Sequence, residues 1–369
     1  MKDFSFGLAT KDDDAAIRHL LSENPVPGRI TVTYEREPDY FMGCGTMGRF
    51  WQVGVARHLP TGRLAGVGCR ATRPMFINGT IEEVGYLGQL RVDSRFRGRW
   101  LPAFGMHYFR ELHRDGRVSG YVTTIVENNE VARGVLVDRP RSHHPTYREI
   151  GRLKTLAVAL RRPRSVPRSP YEIGKSSDAD LSDLVSFLTA HGRQKNLFPA
   201  YRVDDFRNST TTPGFRLDDF RIARRDGQIV GVIGLWDQSG FKQTVVQAYS
   251  GTVRRIRPAY NAVSRLLGGP PLPAPGEPIR NVYGSFVCIE RNDPEIFHAL
   301  LQYVYNEAAR RGYAYLFIGL DTRDPLLAVV EQYPHVAYPS RLYTVCLDDE
   351  GEFHSRLDGR VPHVEIAAL

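Results

Sequence analysis

Cysteine is scarce: Cys44, Cys69, Cys288 and Cys346 lie far apart in 369 residues and form no CxxC pair. That spacing excludes a zinc knuckle and a CxxC redox site, and it leaves four scattered thiols suited to a reducing compartment. Long apolar runs are also missing. A charge interrupts each one before membrane-spanning length, so no bilayer-crossing helix and no membrane partner are expected. MKDFSFGLATKDDDAAIRHLL lacks the charged-then-apolar layout of a signal peptide, and the expectation is a cytoplasmic protein. Neither a GxSxG elbow nor a Walker loop occurs. GCGTMG (43–48) fits GxGxxG by letter only. A strand-like FWQVGVARHL follows where a helix should, and the region near 63–73 is basic. His143-His144 have no partners at metal-ligand spacing, so no metal is expected.

Acids are the minority charge, 41 against 49 lysines and arginines, and the formal net charge is +8. Such a balance favours an anionic partner: nucleic acid, a membrane surface or a polyphosphate cofactor. The stretch 139–170 holds Arg139, Arg141, Arg148, Arg152, Lys154, Arg161, Arg162, Arg164 and Arg168 against Glu149 alone. Its proline-rich end reads as a solvated linker. AYSGTVRRIRPAY is basic and aromatic but carries no RNA-binding signature, so nucleic acid is not an expected partner.

With 42% hydrophobic and 11% aromatic residues the chain suits globular packing, and its length fits two domains. An internal repeat supports that division. FSFGLATKDDDAAIRHLL (4–21) matches YEIGKSSDADLSDLVSFL (171–188), each a strand, a polar cap and an amphipathic helix. GRLAGVG (62–68) matches GQIVGVI (227–233) as the second half of a hairpin, and YLGQLRV (86–92) matches YGSFVCI (283–289). The extra length of the second copy falls in 251–281, with helical VRRIRPAYNAVSRLL and a rigid GGPPLPAPGEP loop. The copies are expected at 1–162 and 163–369, each a mixed α/β sheet with helices on both faces.

In VGYLGQLRVDSRFRGRWLPAFG (84–105) a strand and a helix flank an arginine-rich turn. A helix start offers unpaired N–H groups and a positive dipole end, which suits a phosphate. Gly98 permits close approach, and Arg95, Arg97 and Arg99 add charge.

This layout resembles the GCN5-related N-acetyltransferase (GNAT) family. VDSRFRGRWLP (92–102) is similar to the family's V-x-P-x-[YF]-R-G-x-G-[IL]-[GA] cradle for the coenzyme pyrophosphate, with Val92, Phe96, Arg97, Gly98 and Leu101 matching. NEVARGVL (129–136) resembles N-x-x-A-x-x-x-Y through Asn129 and Ala132. The resemblance implies a GNAT-like tandem with acetyl-CoA as donor. Leu90, Arg91 and Val92 would offer backbone to the pantetheine arm, with Arg95, Phe96, Arg97, Gly98, Arg99, Trp100 and Asn129 completing the coenzyme site. Four positions depart from the pattern: Ser94, Trp100, Pro102 and Leu136. In the second copy Pro294-Glu295 stand where Arg97-Gly98 do, which opposes phosphate binding there.

The implied reaction is direct attack on the thioester by an amine of a small molecule or peptide. It needs a base for the ammonium and an acid for the leaving thiolate. Glu83, with its neighbour Glu82, and Glu127 are the candidate bases, and Tyr147 is preferred to Tyr121 as acid. Tyr86 occupies the place of a catalytic glutamate found in some members, so that role does not carry over. Two other readings stay open: a non-catalytic tandem protein that binds or regulates, and a transferase fed by charged tRNA. Oligomer formation is open as well.

Overall fold

Thr10 and Ser177 hold matching places in the two copies and make the same cap. The Thr10 N–H donates to Asp13 Oδ2 at 2.9 Å, and the Ser177 N–H donates to Asp180 Oδ2 at 2.7 Å. Each cap leads from an edge strand into a helix, β1 (Phe4–Leu8) into α1 (Asp14–Ser22) in the first copy. The computed structural model describes residues 3–98, 101–138, 145–165, 169–207, 210–347 and 353–369. Arg139, Arg141, His143, His144 and Arg168 lie outside them.

The first copy continues through β2 (Ile30–Glu35), β3 (Phe50–His58), β4 (Arg63–Ile77) and β5 (Thr80–Val92). It then runs through α2 (Leu101–His113), β6 (Tyr121–Val126), α3 (Glu130–Leu136) and β7 (Thr146–Ala159). The second copy opens with β8 (Glu172–Lys175), α4 (Leu181–Gly192), α5 (Val203–Arg207), β9 (Phe220–Arg225) and β10 (Gln228–Trp236). After β11 (Gln243–Tyr249) and α6 (Gly251–Leu266) come β12 (Asn281–Ile289), α7 (Pro294–Arg310), β13 (Tyr315–Asp321) and α8 (Leu327–Val330). The chain closes with β14 (His335–Cys346) and α9 (Phe353–Arg356).

Among the described residues twelve strands form one sheet in the order β1-β3-β4-β5-β6-β14-β7-β13-β12-β10-β9-β8, and β2 pairs with β11 apart from it. The two copies read inward from opposite edges and exchange their closing strands at the centre. β14 of the second copy pairs with β6 of the first, with Val345 opposite Tyr121. β7 of the first pairs with β13 of the second, with Ala159 opposite Tyr315. The sequence repeat does not show this exchange, because strand identity says nothing about which sheet a strand joins. Residues 1–162 produced alone would expose β6 and both edges of β7. They are expected to appear in light scattering as a dimer or larger species, since a second copy supplies the missing edges. A cooperatively unfolding 1–162 monomer would contradict that expectation.

The linker is exposed at residues 161–165, as expected, and its backbone is also held. Arg161 N–H donates to Tyr305 Oη and Arg164 N–H to Asn306 Oδ1, and the Arg164 guanidinium lies 4.3 Å from the Tyr333 ring centroid. Its backbone is thereby laid along α7. GCGTMG is not a loop that opens onto solvent. It forms a buried 3-10 turn, where a Cβ on Gly45 would stand 1.7 Å from Thr210 O and one on Gly48 2.3 Å from Thr72 O. Those glycines are required by close packing and not by a nucleotide.

Candidate functional site

β5 and β6 are parallel neighbours for two residue pairs only, Gly85 with Tyr121 and Tyr86 with Val122. Beyond them the strands part. Gly85 sets the close approach, since a Cβ there would lie 2.0 Å from the Tyr121 ring. A bulge then bends β5: Gln89 takes φ 58°, and its register against β4 shifts between Val67 and Cys69. β5 stays paired to β4 through Arg91 and Val92, so its other backbone edge faces the gap. Leu90, Arg91 and Val92 therefore border an opening between two strands of the sheet.

The same device recurs in the second copy. β12 and β13 pair only from Asn281 to Tyr283, and Phe286 has φ 57° at the matching bulge. There the gap is filled by the chain itself. Glu365 Oε2 accepts the Phe286 N–H at 2.7 Å, and Ile366 packs where a Cβ on Gly319 would be 2.1 Å away. The start of α7 is likewise closed. Pro294 occupies its first turn, and Asp293 accepts the Glu295 N–H at 2.8 Å. A carboxylate already fills the anion position of the second copy.

At the mouth of the first gap, Asp93 is buried and caps the 3-10 turn Ser94–Phe96. It accepts the Arg95 N–H at 2.9 Å and the Arg95 guanidinium at 2.5 Å, which holds the Asp93 carboxyl below the usual carboxylate range. Arg95 is thus engaged by its own turn and is not the free rim charge expected. The Phe96 ring is buried against Phe4 at 5.7 Å and His58 at 4.8 Å, so its side chain belongs to the core. Arg97 is exposed, and Gly98 has φ 81° with open space where a Cβ would stand. Arg99 and Trp100 lie outside the described residues.

Arg91 is the residue that the motif alone would not single out for its side chain. Its Nε is buried with no hydrogen-bond partner among the described residues. Burial, with Arg97 nearby, lowers its pKa below the usual guanidinium value. A buried guanidinium N–H without an acceptor costs about 1–3 kcal/mol, and an anionic ligand would relieve that cost. Asn129, at the β6 end of the gap, uses Oδ1 to cap α3 through the Ala132 N–H at 3.1 Å.

The three expected acid–base residues do not meet. Glu83 is exposed and, by strand alternation, on the face opposite Tyr86. Its neighbour Glu82 is tied to Arg356 at 2.5 Å. Glu127 accepts from Arg341 at 3.4 Å at the end of β6. Tyr147 sits beside the start of β6, about 20 Å away along the strand, with its phenol 4.0 Å from Met106 Sδ. Burial raises its pKa, which suits a packing role against α2.

What lies behind the gap is different. Tyr86, Val122 and Thr124 of β5 and β6 line a small cavity of about 40 Å³. Met47, Met75, Leu342 and His363 complete much of its wall. A second cavity, beyond shared walls Arg73 and Glu365, is lined by Thr46, Arg49, Tyr201 and Asp205. The His363 Nε2 is buried and without a hydrogen-bond partner among the described residues. Burial, with Lys195 and Arg73 nearby, holds its imidazole far below the usual histidine range. Burial pushes the Tyr86 phenol up to about 12. A neutral base and a protonated acid therefore line one cavity at neutral pH. Sequence reasoning missed His363 because it belongs to the last turn of chain, which crosses from the second copy to the first. Among the described residues no group of three or more His, Cys, Asp or Glu is placed to hold a metal ion.

Solved structures with the same architecture place this geometry. An N-myristoyltransferase from Saccharomyces cerevisiae with bound myristoyl-CoA aligns with a TM-score of 0.62 at 9% identity, over 93% of this chain and 83% of that one. A GCN5-related N-acetyltransferase from Sphaerobacter thermophilus aligns at 0.56 and 13% identity, over 99% and 98%. This chain has a tandem GNAT fold. A glucosamine N-acetyltransferase region of a fungal multi-domain GH3 β-N-acetylglucosaminidase aligns at 0.61 and 12% identity, over 93% of this chain and 38% of that one. No protein-family model and no curated protein matches the sequence. In the GNAT frame the open first gap and the filled second one are two states of one motif. No helix among the described residues is long and apolar enough to cross a membrane.

Proposed function

We propose that the chain is an acyl-CoA-dependent N-acyltransferase, with acetyl-CoA as donor and the amine of a small molecule or peptide as acceptor. The observation that carries the reading is the asymmetry of the two GNAT gaps. The first is open, with Arg91, Arg97 and Gly98 at its mouth, and the second is filled by Glu365 and Ile366. The same closing segment brings His363 to the cavity behind the open gap.

The residues present fit the coenzyme: Arg91 has an orphan N–H, Gly98 leaves room, and the free edge of β5 offers backbone groups to an amide-rich arm. Bound acyl-CoA supplies a thioester that an amine attacks. His363 takes the proton from the ammonium at Nε2, and its low basicity keeps it available near neutral pH. Tyr86 gives a proton to the departing sulfur. The two small cavities, with Arg73 and Glu365 between them, mark the side from which the acceptor amine approaches, and their buried walls exclude water. In this reading the functional copy is 1–162, the supporting copy is 163–369, and the protein acts in the cytoplasm.

Coenzyme A titrated calorimetrically is expected to bind the wild type. Arg91→Met is expected to weaken binding about 10- to 100-fold, the worth of a charge-assisted hydrogen bond in a desolvated setting. The free Arg91→Met protein should melt no lower than wild type, because a buried N–H without a partner among the described residues has been removed. Arg95→Met should change affinity little, its side chain being engaged by Asp93. Wild-type affinity in Arg91→Met would remove the first gap as the coenzyme site. No binding to wild type at millimolar coenzyme would end the acyltransferase reading.

A further inference from the structure

Helix α6 is inside out. Its inward face is polar: Asn261 and Ser264 are buried, and Arg257 is partly so. Asn261 Nδ2 donates to Leu272 O at 3.0 Å and its Oδ1 accepts the Leu272 N–H at 2.8 Å. Ser264 Oγ donates to Pro270 O at 2.8 Å, and Arg257 Nε to Leu272 O at 3.3 Å. These bonds fix the helix on the proline-rich loop behind it, and turning the other side inward would break all four. One exposed flank is apolar. Ile256, Tyr260, Val263 and Leu267 recur at helical spacing with exposures from 43% to 57%, and Leu266 beside them is 76% exposed.

The charge on this helix has one sign. Residues 251–276 contain four arginines and no acid, and Arg254, Arg255 and Arg265 are exposed. The linker adds more at the helix end, where the Arg162 guanidinium donates to Leu266 O at 3.4 Å. The whole element lies in the stretch that the first copy lacks, so the GNAT fold does not need it. A lone exposed leucine is ordinary, but a stripe of five exposed apolar residues on a helix whose only charges are arginines marks a contact surface.

We propose that α6 docks this protein on an anionic phospholipid bilayer. Aliphatic side chains set along one flank of a helix enter the headgroup boundary, and arginines on its other exposed flank reach lipid phosphates. The stripe is mostly aliphatic, which gives bases little to stack on and so favours lipid over RNA. In the sequence, arginines interrupt the apolar residues and hide the pattern. On the helix, the two types sort to separate sides. The proposal does not rest on the acyltransferase reading.

The test is flotation of the full chain with vesicles of phosphatidylcholine alone, or three parts phosphatidylcholine to one part phosphatidylserine. Wild type is expected to float with the anionic vesicles at about 0.1 M salt and to be released at about 0.5 M. The triple variant Arg254→Glu, Arg255→Glu, Arg265→Glu should lower partitioning at least about hundredfold. Ile256→Asn, Val263→Asn, Leu266→Asn should abolish it at unchanged charge, with a wild-type melting curve because all three side chains are exposed. Coenzyme A affinity unchanged in both variants would separate this surface from the gap. Failure of wild type to float would overturn the proposal, as would flotation that survives both variants. An α6-dependent dimer, or RNA binding without flotation, would assign the face to another partner and overturn it equally.

Discussion

His363→Gln is expected to lower kcat for acyl transfer by about 10²- to 10⁴-fold, the usual worth of a positioned general base, with coenzyme affinity unchanged. A packing role for His363 would instead change stability and leave the pH profile alone, so the profile is the deciding readout. The wild-type rate should fall on the acid side as His363 takes up a proton. Because burial and neighbouring Lys195 and Arg73 depress that pKa, the acid limb should lie below the ordinary histidine value. In His363→Gln this limb should vanish. An unchanged limb would assign the base elsewhere, with Glu365 next in the cavity wall.

The same group predicts how stability responds to acid. The unfolded chain protonates its histidine near 6.5, whereas folded His363 resists protonation. Below that value the unfolded state binds more protons, so stability falls as pH falls. The slope contributed by one such group is at most about 1.4 kcal/mol per pH unit. His191 and His354, lowered mainly by burial, act in the same direction. Melting curves from neutral pH down toward pH 5 should show the loss, and His363→Gln should lessen it.

Arg70→Ala is expected to cost about 3–5 kcal/mol of unfolding free energy, measured by denaturant titration. Arg70 is fully buried on β4 and reaches the end of α2 through Asp115 at 2.7 and 2.9 Å. It also donates to Leu112 O at 2.9 Å, Gln52 Oε1 at 2.8 Å and Tyr121 Oη at 2.8 Å. Removing it takes a donor from Leu112 O, Gln52 and Tyr121 and the buried cation from Asp115, which keeps the more exposed Arg117 at 3.1 Å. Arg70→Lys should not rescue the loss, since an ammonium cannot present the guanidinium fork. Asp115→Ala should cost less, because Asp115 is partly exposed and water takes some of its place. The second copy anchors its matching helix in a similar way, with buried Arg221 donating to Glu307 from β9. A loss below about 1 kcal/mol in Arg70→Ala would refute the anchoring role.

The residues themselves determined a good deal. Matching caps at Thr10 and Ser177, matching hairpins and the strand–arginine-turn–helix at 84–105 encode local geometry, and local geometry is what neighbouring residues dictate. Gly98 with Arg97 and the proline–acid pair at 294–295 already set one cradle apart from the other. Tertiary structure decided the rest. That β7 and β14 exchange sheets depends on long-range pairing between strands of nearly equal local preference. The pairing of Arg95 to Asp93 and the burial of Arg91 depend on which side of a bulged strand meets solvent. The filling of the second gap and the arrival of His363 in the first copy's cavity come from one segment at the far end of the chain. No spacing in the sequence measures that distance, because the chain closes it only when the twelve-stranded sheet is complete.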